Sequence, residues 1–225
     1  MKFTALLPMK GESERVPGKN MRDFNGEPLF YHILKTLIAV PSIEKIIINT
    51  DSEKIKNLAQ GFEKVLIHDR PENLIGGMVP MNAIIDYDIE KSGETNFIQT
   101  HSTNPLLKAE TIQQALEQFE NSKEKHDSLF SVTKIQARLY WDDGSPINHN
   151  LAELLRTQDL PSVLEENSNY FIFTAKSFNE NGKTRIGKTP LMQEVSKIEA
   201  IDIDEPEDFL IAEAVQKYLN STIKS

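Results

Sequence analysis

The chain has 225 residues, of which 39% are hydrophobic, and a formal net charge of −9. That is apolar material enough for one medium α/β domain, or for one domain with a sizeable insertion, while the acidity argues against a general nucleic-acid binder, which needs a broad basic face. With no cysteine in the chain, disulfides, thiolate zinc sites and a cysteine nucleophile are excluded as well.

The opening MKFTALLPMK holds an apolar run too short for a signal peptide, and no stretch approaches the roughly 20 apolar residues of a membrane span. A cytoplasmic protein without a membrane or nucleic-acid partner is expected. FTALL (3–7) reads as the first strand and runs into PMKGESERVPGKN (8–20). Phe30, Ile33, Leu34, Leu37 and Ile38 then keep an i, i+3, i+4, i+7, i+8 spacing, which predicts a helix. KIIINT (45–50) and KVLIH (64–68) read as strands, and a helix is expected to open near Pro80 or Met81. NFIQT (96–100) is a strand, Ile112, Ala115, Leu116 and Phe119 mark a helix, and SLFSVT (128–133), YFIFT (170–174) and EAIDI (199–203) are strands. A last helix starts at Pro206 with Phe209, Ala212 and Leu219 inward. Such alternation predicts a mostly parallel sheet with helices on both faces. Residues 134–169 break it with the only Trp, two prolines and a DDG turn signal; a connection this long is a functional segment or subdomain.

In a parallel sheet, ligands bind beyond the carboxyl ends of the strands, near a switch in strand order. The loops to inspect are therefore 8–20, TDS (50–52), HDRPENL (68–74) and QTHSTNPLL (99–107). The first sets Lys10, Arg15 and Lys19 among Gly11, Ser13, Pro17 and Gly18. Phosphate binding needs backbone N–H groups free to turn, which glycine permits, and cations to offset charge. The spacing does not fit GxxxxGK[ST], because six residues separate Gly11 from Gly18 and Asn20 follows Lys19. The alternative is a solvated turn in which Glu12 and Glu14 partly cancel the cations.

IDIDEPEDF (201–209) alternates. On a strand, Asp202 and Asp204 would share one side, and two carboxylates side by side suit a hard cation such as Mg²⁺ that completes its shell with phosphates. The other readings are a half-exposed acidic strand, or Asp204 capping the helix from Pro206. The five histidines, at 32, 68, 101, 126 and 149, lack metal-ligand spacing; His101 could meet a ligand from its loop or simply be solvated. Ser13 has no neighbour in sequence that could act as its base.

PMKGESERVPGKN resembles the N-terminal signature of the acylneuraminate cytidylyltransferases, the CMP-sugar synthetases of acidic sugars, approximately A-R-x-x-S-K-R-x-P-x-K-N. Ser13, Arg15, Pro17, Lys19 and Asn20 match; Lys10 replaces an arginine and Glu14 a lysine. The resemblance continues through NGEPLFYHIL (25–34), TDS, RPENL (70–74), NPLL (104–107), DSLFSVT (127–133), RTQDLP (156–161) and IDIDEPEDF, in the family's order.

It implies a single Rossmann-like nucleotidyltransferase domain over 1–225, with 134–169 as an arm that dimerises and reaches a neighbouring site. It implies that CTP phosphates meet Lys10, Gly11, Ser13, Arg15 and Lys19, and that Asn20, Arg70 and Asn82 lie near ribose and base. The sugar would meet Gln99, Arg156, Gln158, Tyr170 and Phe171, and Mg²⁺ would sit on Asp202 and Asp204. Lys19, Arg15 and Asp204 would then carry the transfer of CMP from CTP to an acidic nine-carbon 2-keto sugar, with pyrophosphate leaving. Departures fall at Lys10, which loses the guanidinium fork, at GGMVPMN (76–82), and at QTHSTNPLL, two residues longer than the family's QPTSPL. Two rival readings are a metal-dependent nucleotide-sugar glycosyltransferase, which also uses DxD but has no such triphosphate loop, and a non-catalytic nucleotide-binding module of the same fold.

Overall fold

In the computed structural model, which describes residues 1–222, the first apolar run forms strand β1 (Phe3–Leu6). A small hairpin, β2 (Asp23–Phe24) and β3 (Glu27–Pro28), follows. Its turn residues Asn25 and Gly26 both have positive φ, 53° and 99°, as a two-residue hairpin turn of the primed type requires. Next come α1 (Leu29–Ala39), β4 (Ile43–Thr50), α2 (Glu53–Ala59), β5 (Val65–Asp69), α3 (Met81–Ser92), β6 (Asn96–Thr100) and α4 (Ala109–Ser122). The chain closes with β7 (Ser128–Ile135), β8 (Val163–Thr174), α5 (Ala175–Glu180), β9 (Pro190–Glu194) and α6 (Pro206–Thr222).

Seven strands make one sheet in the order β5-β4-β1-β6-β8-β7-β9. β8 runs antiparallel to β6 and β7, and every other pairing is parallel. Alternate residues face opposite sides, as strand geometry demands. Phe3, Ala5, Ile46, Ile48, Ile98, Tyr170 and Ile172 pack with α1 and α4. Leu6, Ile47, Phe97, Phe171 and Phe173 pack with Ile85 and Ile89 of α3 and Phe178 of α5. Both faces are covered, which is why the strand sequences are continuous apolar runs rather than alternating ones. The helix spacings expected from sequence hold: Phe30, Ile33, Leu34 and Leu37 of α1 and Ile112, Ala115, Leu116 and Phe119 of α4 are buried.

Two expectations are corrected. EAIDI (199–203) is not a strand. Residues 197–200 form a turn, and Ile203 N–H then bonds to Thr103 O in the loop after β6. Ile203 is buried instead against Phe24, Leu29 and Phe209, so α6 packs on the hairpin. The seventh strand is β9, from the mixed sequence PLMQE. The segment 134–169 is also shorter as an irregular piece: β7 extends to Ile135 and β8 begins at Val163. Residues 136–162 connect them and bury only Asn148 and Leu160. No described helix is long and apolar enough to cross a membrane.

Candidate active site

β1 lies between β4 and β6. The chain leaves β1 toward β4 on one side and is joined by β6 on the other, so strand order switches there. Beyond the carboxyl ends of these strands opens a cleft of about 890 Å³, lined by residues 8–15, Lys19, Asn20, Asp51, Ser52, 75–77 and 101–103. The size is ordinary for a small-molecule site.

The loop after β1 is fastened at several points. Gly11 N–H donates to Asp51 Oδ1 at 2.7 Å, and a Cβ at Gly11 would stand 2.9 Å from Ser52 Cβ, so only glycine allows this approach. Asn20 Nδ2 donates to Lys10 O at 2.8 Å, and Ser102 Oγ donates to Asn20 Oδ1 at 2.6 Å. Gly18, at φ 62°, turns the chain so that Lys19 points inward. Lys19 is 8% exposed, and its Nζ donates to Ile203 O at 2.6 Å and to Asp204 Oδ1 at 3.4 Å. Arg15 reaches Asp204 Oδ1 at 2.7 Å and Glu205 Oε1 at 3.2 Å. Lys10 is exposed on the cleft wall. Lys10, Gly11, Ser13, Arg15, Lys19 and Asn20 are therefore brought together at one opening.

Arg70 sits elsewhere. Its guanidinium is buried under the loop, donating to Asn49 Oδ1 at 2.7 Å, Asn49 O at 2.9 Å and Met9 O at 3.1 Å. Burial lowers its pKa. Asn49 Nδ2 and His68 Nδ1 both meet Asp88 Oδ1 at 2.8 Å, so a buried polar network anchors the root of the loop after β1. Asn82, in the first turn of α3, is not on the cleft wall, and its Oδ1 is buried without a hydrogen-bond partner.

At the other end, Gln99 is fully buried; its Nε2 donates to Thr100 O at 2.7 Å and its Oε1 accepts from Arg185 Nη1. Phe171 lies opposite Gln99 in the sheet, under the Arg185 guanidinium, 4.0 Å from the ring centroid. Tyr170 is wholly inside the core, its hydroxyl donating to Gln193 Oε1. Burial raises its pKa. Arg156 and Gln158 are exposed on a 3-10 turn (Thr157–Asp159) and its N-cap, where Arg156 Nε holds Asp159 at 2.7 Å. His101 lines the cleft and is not freely solvated: desolvation, then the charge of Arg185, pulls its pKa down to about 4.

The two aspartates lie on the irregular segment before α6 and face different partners. Asp204 pairs with Arg15 and Lys19. Asp202 borders a second hollow between the β7–β8 ribbon and α6. Its pKa is raised by burial, against a hydrogen bond from Thr103 and in concert with the charge of Asp204. Asp204 does not cap α6; Asp208 does, accepting the N–H groups of Asp204 and Glu205 at 3.0 and 2.8 Å. Among the described residues no group of three or more histidine or acidic side chains could enclose a metal. Asp202 Oδ1, however, is buried with no partner. An orphaned carboxylate oxygen beside a second carboxylate fits a cation that takes one or two protein carboxylates and draws its other ligands from phosphate and water.

The sequence marks the segments that hold Asp51, Ser102 and Glu205 without singling out those residues, and gives no sign of Arg185. Asp51 and Ser102 could have been reached from their places just after β4 and β6. Arg185 lies between Gly182 and Gly187 in a stretch with no apolar period, and only the tertiary fold brings it to Gln99.

A family model described as cytidylyltransferase matches residues 4–220. The CMP-N,N'-diacetyllegionaminic acid synthase of Legionella pneumophila is 28% identical over 96% of this chain and 97% of its own length. A pseudaminic acid cytidylyltransferase of Campylobacter jejuni is 26% identical over 80% of this chain and 82% of its own. Among solved structures, a CMP:2-keto-3-deoxy-manno-octonic acid synthetase complexed with CTP superposes with a TM-score of 0.69 at 12% identity, over 97% of this chain and 99% of that one. A 4-diphosphocytidyl-2C-methyl-D-erythritol synthase from Anaerococcus prevotii gives 0.65 at 14% identity, covering 96% of each chain. At such identities the structures speak for the Rossmann-like nucleotidyltransferase fold alone, whereas the family model spans nearly the whole sequence, through the loop that builds the cleft and the Asp202–Asp204 segment. The chain belongs to the cytidylyltransferase family.

Proposed function

We propose that the protein joins CMP from CTP to the anomeric hydroxyl of an acidic nine-carbon 2-keto sugar and releases pyrophosphate. The observation that carries this reading is the convergence of Lys10, Arg15 and Lys19 on one cleft at the switch point of an otherwise acidic chain. The substrate class follows the relatives, which are named for legionaminic, pseudaminic and N-acylneuraminic acids.

Phosphoryl-type transfer of this kind needs alignment and charge stabilisation rather than a covalent intermediate. Gly11 N–H is already committed to Asp51, so the triphosphate rests on side chains: Lys10, Ser13, Arg15 and Lys19. Asp204 holds Arg15 and Lys19 in place before substrate arrives. When the triphosphate enters, both cations turn to it and Asp204 is released from them. Lys19, buried and anchored on Ile203 O, then offsets charge on the departing pyrophosphate, with Arg15 beside it. Asn20, fixed by Lys10 O and Ser102, stands at the ribose. Arg70 acts from below by holding Met9 O. A Mg²⁺ ion held by Asp202 and Asp204 would supply Lewis-acid polarisation of the α-phosphate and further charge neutralisation. Arg156 and Gln158, exposed on the 136–162 connection, serve a neighbouring copy in a homodimer.

The test is pyrophosphate release from CTP and Mg²⁺ against a panel of nine-carbon sugar acids, with the eight-carbon acid and neutral sugars included. Release with one acid, lost on chelation, is expected. Tight CTP binding with silence across the panel would instead favour a binding module.

A further inference from the structure

The loop that carries Arg185 is fixed in an unusually complete way. The Asp127 carboxylate accepts Lys188 N–H at 2.8 Å, Thr189 N–H at 3.0 Å and Asn181 Nδ2 at 3.0 Å. Burial opposes ionisation of this carboxyl, but those donors outweigh it and hold its pKa below the usual range. Gly187 N–H bonds to Ser128 Oγ at 2.8 Å, and a Cβ on Gly187 would fall 2.2 Å from Asp127 Oδ1. The loop's shape is therefore set before any ligand arrives.

What it presents is a half-buried guanidinium lying over the Phe171 ring, with one N–H given to Gln99 Oε1. A guanidinium has five N–H donors in a planar fork. Among the described residues, the remaining donors of Arg185 find no protein acceptor and no carboxylate forms an ion pair with it; Glu166 acts only at longer range. Half-buried cations are ordinarily paired. Its charge reaches His101, a residue of the cleft lining. An aromatic floor, a fixed loop and an open planar fork make a receptor for a carboxylate.

We propose that Arg185 is the residue that recognises the carboxylate of the sugar acid, binding it through the free edge of the guanidinium while Gln99 fixes the group's orientation. This rests on the CMP-transfer reading above. It makes acidity of the acceptor sugar a requirement written into the β8–β9 loop.

The experiment compares the sugar acid accepted by the wild type with its carboxamide, in wild type, Arg185→Lys and Arg185→Gln, by pyrophosphate release. In Arg185→Gln the KM for the acid is expected to rise by about 30-fold or more, as for loss of one partner of a hydrogen-bonded charge pair. Its kcat and its KM for CTP stay within about twofold. The preference for acid over carboxamide collapses in Arg185→Gln, and Arg185→Lys, which keeps charge but loses the fork, falls between. Equal KM rises for acid and carboxamide, or an unchanged KM for the acid, would overturn the assignment. The CTP KM and the thermal midpoint report on folding. Should Arg185→Gln shift both, the acid-to-carboxamide ratio of Arg185→Lys decides. A wild type that turns over no sugar acid at all would bring down the CMP-transfer reading and this one with it, a result seen before any variant is made.

Discussion

The β5-β4-β1-β6 half of the sheet and the β8-β7-β9 half are held by different means. The first is all parallel, and the buried polar chain Asp88–Asn49–Arg70 ties its strand ends to the loop that would receive phosphates. The second contains the one antiparallel strand, and its loop is locked by a single surface-side carboxylate, Asp127. In one half the loop after β1 is positioned from inside the core; in the other, the β8–β9 loop is positioned from the rim. Under the proposed function, the difference would suit a constant triphosphate on one side and a variable sugar on the other.

Asp204→Asn is expected to lower kcat by about 10³-fold in pyrophosphate release. Because Asp204 is half-exposed, the thermal midpoint should stay within about 2 °C; near-normal turnover would remove the metal role. Arg70→Met, in the inner half, is expected to cost about 3 kcal/mol and to lower the melting point by about 6–12 °C while weakening CTP binding. Gly187→Ala, at the rim, should cost about 1–3 kcal/mol, raising the KM for the sugar and leaving CTP affinity intact; equal damage to both ligands would erase the division. His101→Gln probes the join between the halves. Burial, with Arg185 next, holds His101 at about 4 against 6.5. Between those values the unfolded chain takes up a proton that the folded chain does not, so stability falls as pH drops from about 6.5 to about 4. The variant should lose on the order of 1 kcal/mol less across that window, read as urea midpoints at pH 7 and 4.5. The smallest effect is Arg156→Ala, whose exposed pair with Asp159 is worth no more than about 0.5 kcal/mol; a loss of turnover without a loss of stability would mark service to a neighbouring copy.

The inner half was the legible half. FTALL, KIIINT and NFIQT are short segments rich in apolar, β-branched and aromatic residues set between helical patterns, which marks them as buried strands, and the glycines and cations of 8–20 follow directly on the first of them. The outer half hid its order. PLMQE pairs along one edge only and buries little, so β9 carries no apolar run. EAIDI, with a strand's composition, spends its backbone on the loop after β6 instead. Tyr170 and Phe171 are adjacent aromatics whose opposite faces, one in each core cluster, only the pleat could separate. The DxD spacing placed two carboxylates in one segment; that they turn to different neighbours was not legible, because the segment belongs to no ladder and does not keep a strand's alternation.

Ser131 interrupts the β7–β8 pairing: the register jumps between Phe130, opposite Phe171, and Val132, opposite Glu166. Ser168 takes up the slack at φ 57°, and Ser131 Oγ bonds to both Asn167 Oδ1 and the Tyr170 backbone. Such a bulge bends a ribbon and increases its twist locally. It therefore works as a joint between two levers. Ser131 stands between the 136–162 connection on one side and the Gln99–Phe171 pairing on the other. A change of aim in the connection would thus meet a bend before it met the strand that faces Gln99.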